Sequence, residues 1–301
     1  MKNLISKASV YRAAFPSTAL DLSMAFEDAA YEPPVGQNPT SFGFVKLNDE
    51  GYVVNIAGGF AFAMRIGDKL VPSSLLRAEV AKRVAEIEDN YGRKIGKKER
   101  REITDEVKRE LTSRALCREN TVTAFYHTAS QTLILNTTSQ RVCDIAMTKL
   151  VRVVDTFKTT TIHVSVNSGL TARLKGWLTD EDEDEAAFGA FEPSGRIALA
   201  SPDKRTLTIK TESLLSNSDA LQEALRHGYQ VKSMGLTSQH ASFVLNDKFK
   251  FSQITYPVPE ADGVDPDDHT WATQAFMEVS SVVEVVRDLC AMFGYEEPEL
   301  G

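Results

Sequence analysis

Lys94, Lys97, Lys98, Arg100 and Arg101 place five cations within eight positions. Clustered cations do one kind of chemistry well: they displace the counterions of a polyanion and hold its phosphates without reading bases. On a helix the same run can instead form a solvated face balanced by its own glutamates. Arg114 and Arg118 follow in a stretch with only Glu110 and Glu119 nearby. They can offer two guanidinium forks to a phosphate backbone or pair within the chain. Lys204, Arg205 and Lys210 form a second, weaker basic group, for which protection of a strand edge is the alternative use.

Catalytic arrangements are harder to find. Gly92 to Gly96 reads GRKIG and is followed by Lys97-Lys98. The glycines are too close for a phosphate-cradling loop, and no Ser or Thr follows the lysines to hold magnesium. His127, His163, His227, His240 and His269 lack the HxxxH or HExxH spacing of a metal site. The run Asp180 to Glu185 is rich in carboxylates, but consecutive positions cannot all face one ion, so it reads as a solvated acidic loop. Glu106-Val107-Lys108 has the acid-x-Lys form of some nuclease sites without a preceding Pro-Asp partner. Ser201-Pro202-Asp203-Lys204 fits SxxK but reads as a turn. Trp177, Phe188 and Phe191 can stack on single-stranded bases or pack in a core, and packing is the expected use. Cys117, Cys143 and Cys290 lie far apart and are expected as reduced thiols. The expectation is a protein without enzymatic activity, metal or cofactor.

The 301 residues carry a formal charge of −8, which opposes binding to an acidic polymer unless positive charge is segregated. It is segregated. Lys69 to Arg118 holds 14 Lys and Arg against nine Asp and Glu, while the remainder holds 20 against 33. Acid collects at Asp180 to Glu185, at Glu260 to Asp268 and in the terminal EEPEL. No stretch has the length of apolar residues that a bilayer span or signal peptide needs, which makes the cytoplasm the expected compartment.

These residues need elements to position them. Residues 1–72 read as mainly strand, with a loop from Glu32 to Ser41 and a hairpin around Gly58-Gly59. From Ser73, Leu76, Val80, Val84 and Ile87 recur at helical spacing, with Ser73 or Ser74 as the cap. Gly92 to Gly96 interrupts, and Ile103, Val107 and Leu111 carry a second helix, so 73–120 forms a basic helical hairpin. Residues 121–178 supply a hairpin turning near Ala129-Ser130, a helix from Gln140 to Thr156 and a strand in TTTIHVSV. They complete a central domain begun by 1–72. Beyond the acidic loop, 179–301 forms an α+β region: two strands between Arg196 and Lys210, a helix from Ser218 to His227, and three strands with a turn at Asn246-Asp247. A helix from Thr270 to Phe293 closes it. Lacking regular strand-helix alternation, the chain belongs to the α+β class, with mixed sheets and a charged helical hairpin.

Several segments resemble, in order, the RdgC family of recombination-associated proteins. They are KNLISKASVYR, SFGFV from Ser41, KLVPSSLLRAEVAKRVAEIE from Lys69, and GRKIGKKERREITDEVKRELTSRALCR from Gly92 to Arg118. LKGWL, LQEALRHGYQVKSMGL and QAFMEVSSVVEVVRDLCAMFG follow. The resemblance implies a curved subunit closing into a ring-shaped homodimer, with basic side chains around a hole that passes duplex DNA. It implies nucleoid-associated, non-specific binding of double- and single-stranded DNA, and opposition to loading of the RecA recombinase. The chain departs from the family at Leu116, where an aromatic implicated in ring closure is usual. It departs again at Thr211-Glu212, where a second basic residue and Gln are common. Two rival functions remain: a metal-dependent recombination nuclease, and an acidic module that binds a basic protein.

Overall fold

Apolar alternation and helical periodicity divide the chain as follows. Strand β1 (Lys7–Ala14) leads to helix α1 (Ala19–Asp28), then β2 (Thr40–Val45), β3 (Val53–Ile56), β4 (Gly59–Lys69), α2 (Ser73–Tyr91) and α3 (Lys97–Arg114). Next come β5 (Cys117–His127), β6 (Thr132–Leu135), α4 (Gln140–Val153), β7 (Lys158–Thr161) and α5 (Val166–Thr179). The chain continues through β8 (Glu192–Ala200), β9 (Thr206–Lys210), α6 (Ser218–Arg226), β10 (Gln230–Thr237), β11 (Ser242–Asn246), β12 (Lys250–Thr255) and α7 (Trp271–Phe293). The structure is a computed structural model that describes residues 3–15, 18–48, 50–162, 166–179, 188–210, 217–257 and 270–295. The acidic runs, Thr211-Glu212, His163 and His269 lie outside these described residues.

The fold is α+β, as expected, but the sheet is not mixed. Twelve strands form a sheet in the order β2-β4-β5-β6-β1-β12-β11-β10-β8-β9, with β3 on β4 and β7 on β1. Every strand pair with an assigned register is antiparallel. Short turns account for the hairpin pairs among them, because a parallel pair needs a long crossover. Ile56 pairs with Gly59 across a two-residue turn whose Gly58 sits at φ 75°. At the β11–β12 turn the Asn246 side chain accepts from Lys248 N at 2.9 Å and Lys250 N at 3.0 Å. Helices α1 and α5 occupy regions read as strand or left unassigned. Leu22 and Phe26 are buried one turn apart on α1, a single i,i+4 pair in a ten-residue helix.

The chain divides into a larger unit (residues 1–22, 53–62 and 123–301) and a smaller one (23–52 and 63–122). In the larger unit β1 pairs with β12, β6 and β7, and α7 buries Val279, Val282, Val286 and Leu289 along one face. Thr270 caps α7 by accepting from Thr273 N. One acid interrupts that apolar face. Glu278, 5% exposed, accepts from Leu4 N at 3.1 Å, Ile5 N at 2.7 Å and Gln274 Nε2 at 2.7 Å. It supplies the acceptor that the backbone ahead of β1 needs before β1's first registered pair, at Lys7.

In the smaller unit β2 lies along the end of β4, with Thr40 opposite Asp68 and Val45 opposite Ala63, and Phe26 stacks on Phe44. Helices α2 and α3 form the expected hairpin around Val80, Ile103 and Val107, flanked by Leu76, Val84, Ile87, Ile95 and Leu111. The expected serine cap is absent: Pro72 is the N-cap residue, without a side-chain cap bond, and Ser73 is already helical. Pro72 holds φ at −60° and ends the extended chain there.

Replacing Glu278 with Ala leaves buried N–H groups without an acceptor. It should lower unfolding stability by roughly 3 kcal/mol in a urea titration, with Glu278→Gln intermediate. A loss below about 1 kcal/mol would show that this carboxylate contributes little to holding the first strand.

Candidate nucleic-acid interface

At 3.6 residues per turn, Lys97, Arg101 and Lys108 fall within about 40° of one another around α3. Glu99, Glu102, Glu106 and Glu110 fall on the other side. The helix thereby gathers these three cations on one side, although Arg109 falls among the glutamates. The acidic side is used internally: Arg83 of α2 reaches Glu110 at 3.0 Å and Glu106 at 3.9 Å. A groove of about 580 Å³ is lined there by Gln37, Glu102, Glu106, Arg109, Glu110 and Ser113. Three glutamates make that groove a poor seat for a phosphate.

The cations singled out from sequence behave differently from one another. Lys97, Lys98 and Arg101 are exposed and have no carboxylate within 4 Å among the described residues. Arg100 is exposed as well, near enough to Glu88 to act on its ionisation. Lys94 pairs with Glu88 at 3.0 Å, and Arg114 with Glu110 at 3.6 Å. Arg118 is exposed on β5. Lys108 was missed by the sequence reading, although the i, i+4, i+11 spacing from Lys97 and Arg101 was available to find it.

The turn that presents this face is held electrostatically. Gly92 ends α2 in the left-handed region at φ 60°. Glu88 then accepts from Ile95 N at 2.9 Å and from Lys94 Nζ. Arg93 grips Glu99 with two bonds of 2.7 Å. The Ile95 N–H, and after it Lys94, hold the Glu88 carboxyl below the usual carboxylate range; Arg93 does the same for Glu99.

Beyond α3 the backbone opens into an exposed apolar spot. Leu116 is 88% exposed and Leu70 55% exposed, and Leu70 N donates to Leu116 O. In the larger unit, Lys204, Arg205 and Lys210 are exposed on the β8–β9 hairpin. Lys204 N donates to Ser201 O and Ser201 N to Arg205 O, closing a tight turn in which Lys204 adopts φ 63°. A left-handed conformation costs an L-residue roughly 1–2 kcal/mol, so this loop carries a lysine where glycine would be easier.

The remaining candidates make contacts within the chain. Phe188 and Phe191 are buried, with ring contacts to Trp177 and Phe243. His127 bonds Ser130 and His227 bonds Glu223. Among the described residues no group of three His, Cys, Asp or Glu side chains is placed to hold a metal. No described helix is long and apolar enough to cross a membrane. Cys143 and Cys290 are buried and Cys117 partly so, all three as free thiols.

Comparison with known proteins agrees with the landmarks in the sequence. The family model described as "Putative exonuclease, RdgC" matches residues 3–296. A protein of Pseudomonas entomophila named "Recombination-associated protein RdgC" is 25% identical, over 98% of this chain and 97% of its own length. Proteins of the same name from Burkholderia ambifaria and Pseudomonas fluorescens are 22% and 26% identical. They cover 88% and 87% of this chain, and 87% and 86% of their own.

Because the Glu88 carboxyl is held below its ordinary value, the turn gains stability that is complete above the usual glutamate range. That stability should disappear as pH falls through the lowered value. Hydrogen exchange of the Ile95 amide, corrected for its intrinsic pH dependence, should stay protected at about pH 5, above the ordinary glutamate value, and lose protection on further acidification. Glu88→Gln should remove the pH dependence, and an unchanged profile in that variant would count against the carboxylate as its origin.

Proposed function

The chain belongs to the RdgC family, and from that premise we propose that it is a DNA-binding protein of homologous recombination without chemistry of its own. It binds duplex DNA, and single strands as well, with little regard to sequence. It works as a homodimeric ring around DNA in the nucleoid and limits access of the RecA recombinase by occupying the substrate. The carrying observation is the charge arrangement on α3, where Lys97, Lys98 and Arg101 stand exposed without carboxylate partners among the described residues, while Glu106 and Glu110 pair with Arg83 and Glu99 with Arg93. Cations free of internal pairs break no ion pair when they meet phosphate, and they fix a backbone without selecting a base. Leu116 supports the dimer: an apolar side chain 88% exposed is suited to cover by a second subunit.

The direct test is fluorescence anisotropy with two unrelated duplexes and one single strand at several salt concentrations, with and without magnesium, checking strand integrity. Replacing Lys97, Lys98, Arg100 and Arg101 together should weaken binding to every sequence alike. The salt slope should flatten by about 0.9 for each duplex phosphate that the variant no longer neutralises. Replacing Lys94 or Arg114, each already paired, should matter less. Magnesium-dependent strand shortening would instead support the nuclease that the family description names, and absence of DNA binding would favour an acidic module for a basic protein. Leu116→Phe enlarges the apolar surface and should raise dimer affinity in analytical sedimentation; unchanged affinity would remove Leu116 from the interface.

A further inference from the structure

The larger unit contains a second cationic feature, assembled by strand register rather than by a run in the sequence. Strands β8 and β9 place Arg196 directly opposite Lys210. Both line a cleft of about 410 Å³, together with Ser194, Ser242 and Gln253. Like charges in opposite positions of an antiparallel pair repel, and among the described residues the cleft lining includes no carboxylate to offset them. Arg196 Nε is buried and has no hydrogen-bond partner among the described residues. Arg196 also has no carboxylate within 4 Å among the described residues. A buried, unpaired guanidinium nitrogen is costly unless something fills its place.

The rest of the cleft is arranged for an acceptor. Ser194 Oγ accepts from Thr237 Oγ1 at 2.9 Å, which leaves the Ser194 hydroxyl proton available. Thr237 is in turn within 3.1 Å of Ser242 Oγ, so the hydroxyls form a short chain along one side. Gly195 at φ 61° turns the strand beside Arg196. Any side chain at Gly235 would press against Ser194 O at 2.1 Å. Two cations, a free hydroxyl proton and an orphaned guanidinium nitrogen share one requirement, a compact oxyanion with several acceptor atoms.

We infer that this cleft binds a phosphate group, held by the fork of Arg196, the ammonium of Lys210 and the hydroxyl of Ser194. Naming the source of that phosphate rests on the DNA-binding reading above: a backbone phosphate of DNA takes the cleft, giving the larger unit its own anchor. Lys204 and Arg205 lie at the far end of the same hairpin. That end of β8 is about four residues from Arg196, or roughly 14 Å of strand, so the ribbon offers cations at two points along its length. Neither a charge run nor a motif marks Arg196 in the sequence, since its nearest cationic neighbour in the chain is Lys204.

Two measurements on the full chain decide this. In the first, inorganic phosphate is titrated at constant ionic strength against chloride while the thermal midpoint is followed. Phosphate should raise the midpoint of the parent protein, as a ligand of the native state does. Arg196→Met should abolish the rise, Lys210→Met should reduce it, and Arg196→Lys should restore part of it. In the second, duplex affinity should fall about tenfold in Arg196→Met, the effect of one charge-assisted phosphate bond, and the salt slope should fall by about 0.9. A phosphate response in Arg196→Met equal to that of the parent overturns the site. Loss of the phosphate response with unchanged DNA affinity keeps the anion site and overturns DNA as its source. If the parent binds no DNA, the DNA-binding reading fails while the phosphate titration still decides the cleft. Should Arg196→Met fail to fold, Lys210→Met, altered at an exposed side chain, carries both measurements.

Discussion

Strand β1 is the constraint on which the larger unit depends. Its backbone must find partners, because buried main-chain N–H and C=O groups left unpaired cost more than the strand gains by being apolar. It finds them in β6, β7 and β12, segments that lie far along the chain from it. Ahead of the strand proper, where no ladder runs, Glu278 of α7 takes over as acceptor for Leu4 and Ile5. The first residues of the unit are thereby tied to its last helix. Closing so long a loop is entropically slow, so this strand is expected to be among the late elements to form. The short hairpins β3–β4, β5–β6 and β11–β12 can form locally beforehand.

The smaller unit is governed by charge rather than by long-range pairing. The hairpin of α2 and α3 has a modest apolar seam around Val80, Ile103 and Val107. Its turn is secured by Glu88 on Ile95 and Lys94 and by Arg93 on Glu99. Exposed ion pairs contribute little individually, and their larger effect here is to decide which charges stay available. Glutamates pair with Arg83, Arg93, Lys94 and Arg114, while Lys97, Lys98 and Arg101 have no ion pair among the described residues. An acidic protein can thus keep exposed cations where several of its glutamates are committed elsewhere.

The two basic features would meet a phosphate in different ways. The α3 face is open, solvated and contiguous in sequence, suited to a mobile, salt-sensitive interaction. The Arg196–Lys210 cleft brings a guanidinium, an ammonium and a hydroxyl to one place by strand register, an arrangement suited to a single oriented group. Lys204, held in a left-handed turn on the same ribbon, retains a cation at a backbone position that would accept glycine more easily. Such a use of strain is consistent with a charge that is needed at that place.

What the sequence determined by itself is what depends on neighbours within a few turns of chain. The spacing of Leu76, Val80, Val84 and Ile87 and of Ile103, Val107 and Leu111 specified both helices and the break between them. The turns at Gly58 and Asn246 specified two hairpins, and ordered landmarks from Lys2 to Gly294 specified the family. The α1 helix was less legible because its signal is one buried pair, Leu22 and Phe26. The α5 helix follows a β-branched run that reads as strand. Only the tertiary structure decided that the sheet is antiparallel, that Lys94 and Arg114 are paired while Lys97 and Arg101 are not, and that Arg196 faces Lys210. Periodicity is a local property, whereas register and ion pairing depend on which distant segment a residue meets, and that choice is made by burial over the whole unit.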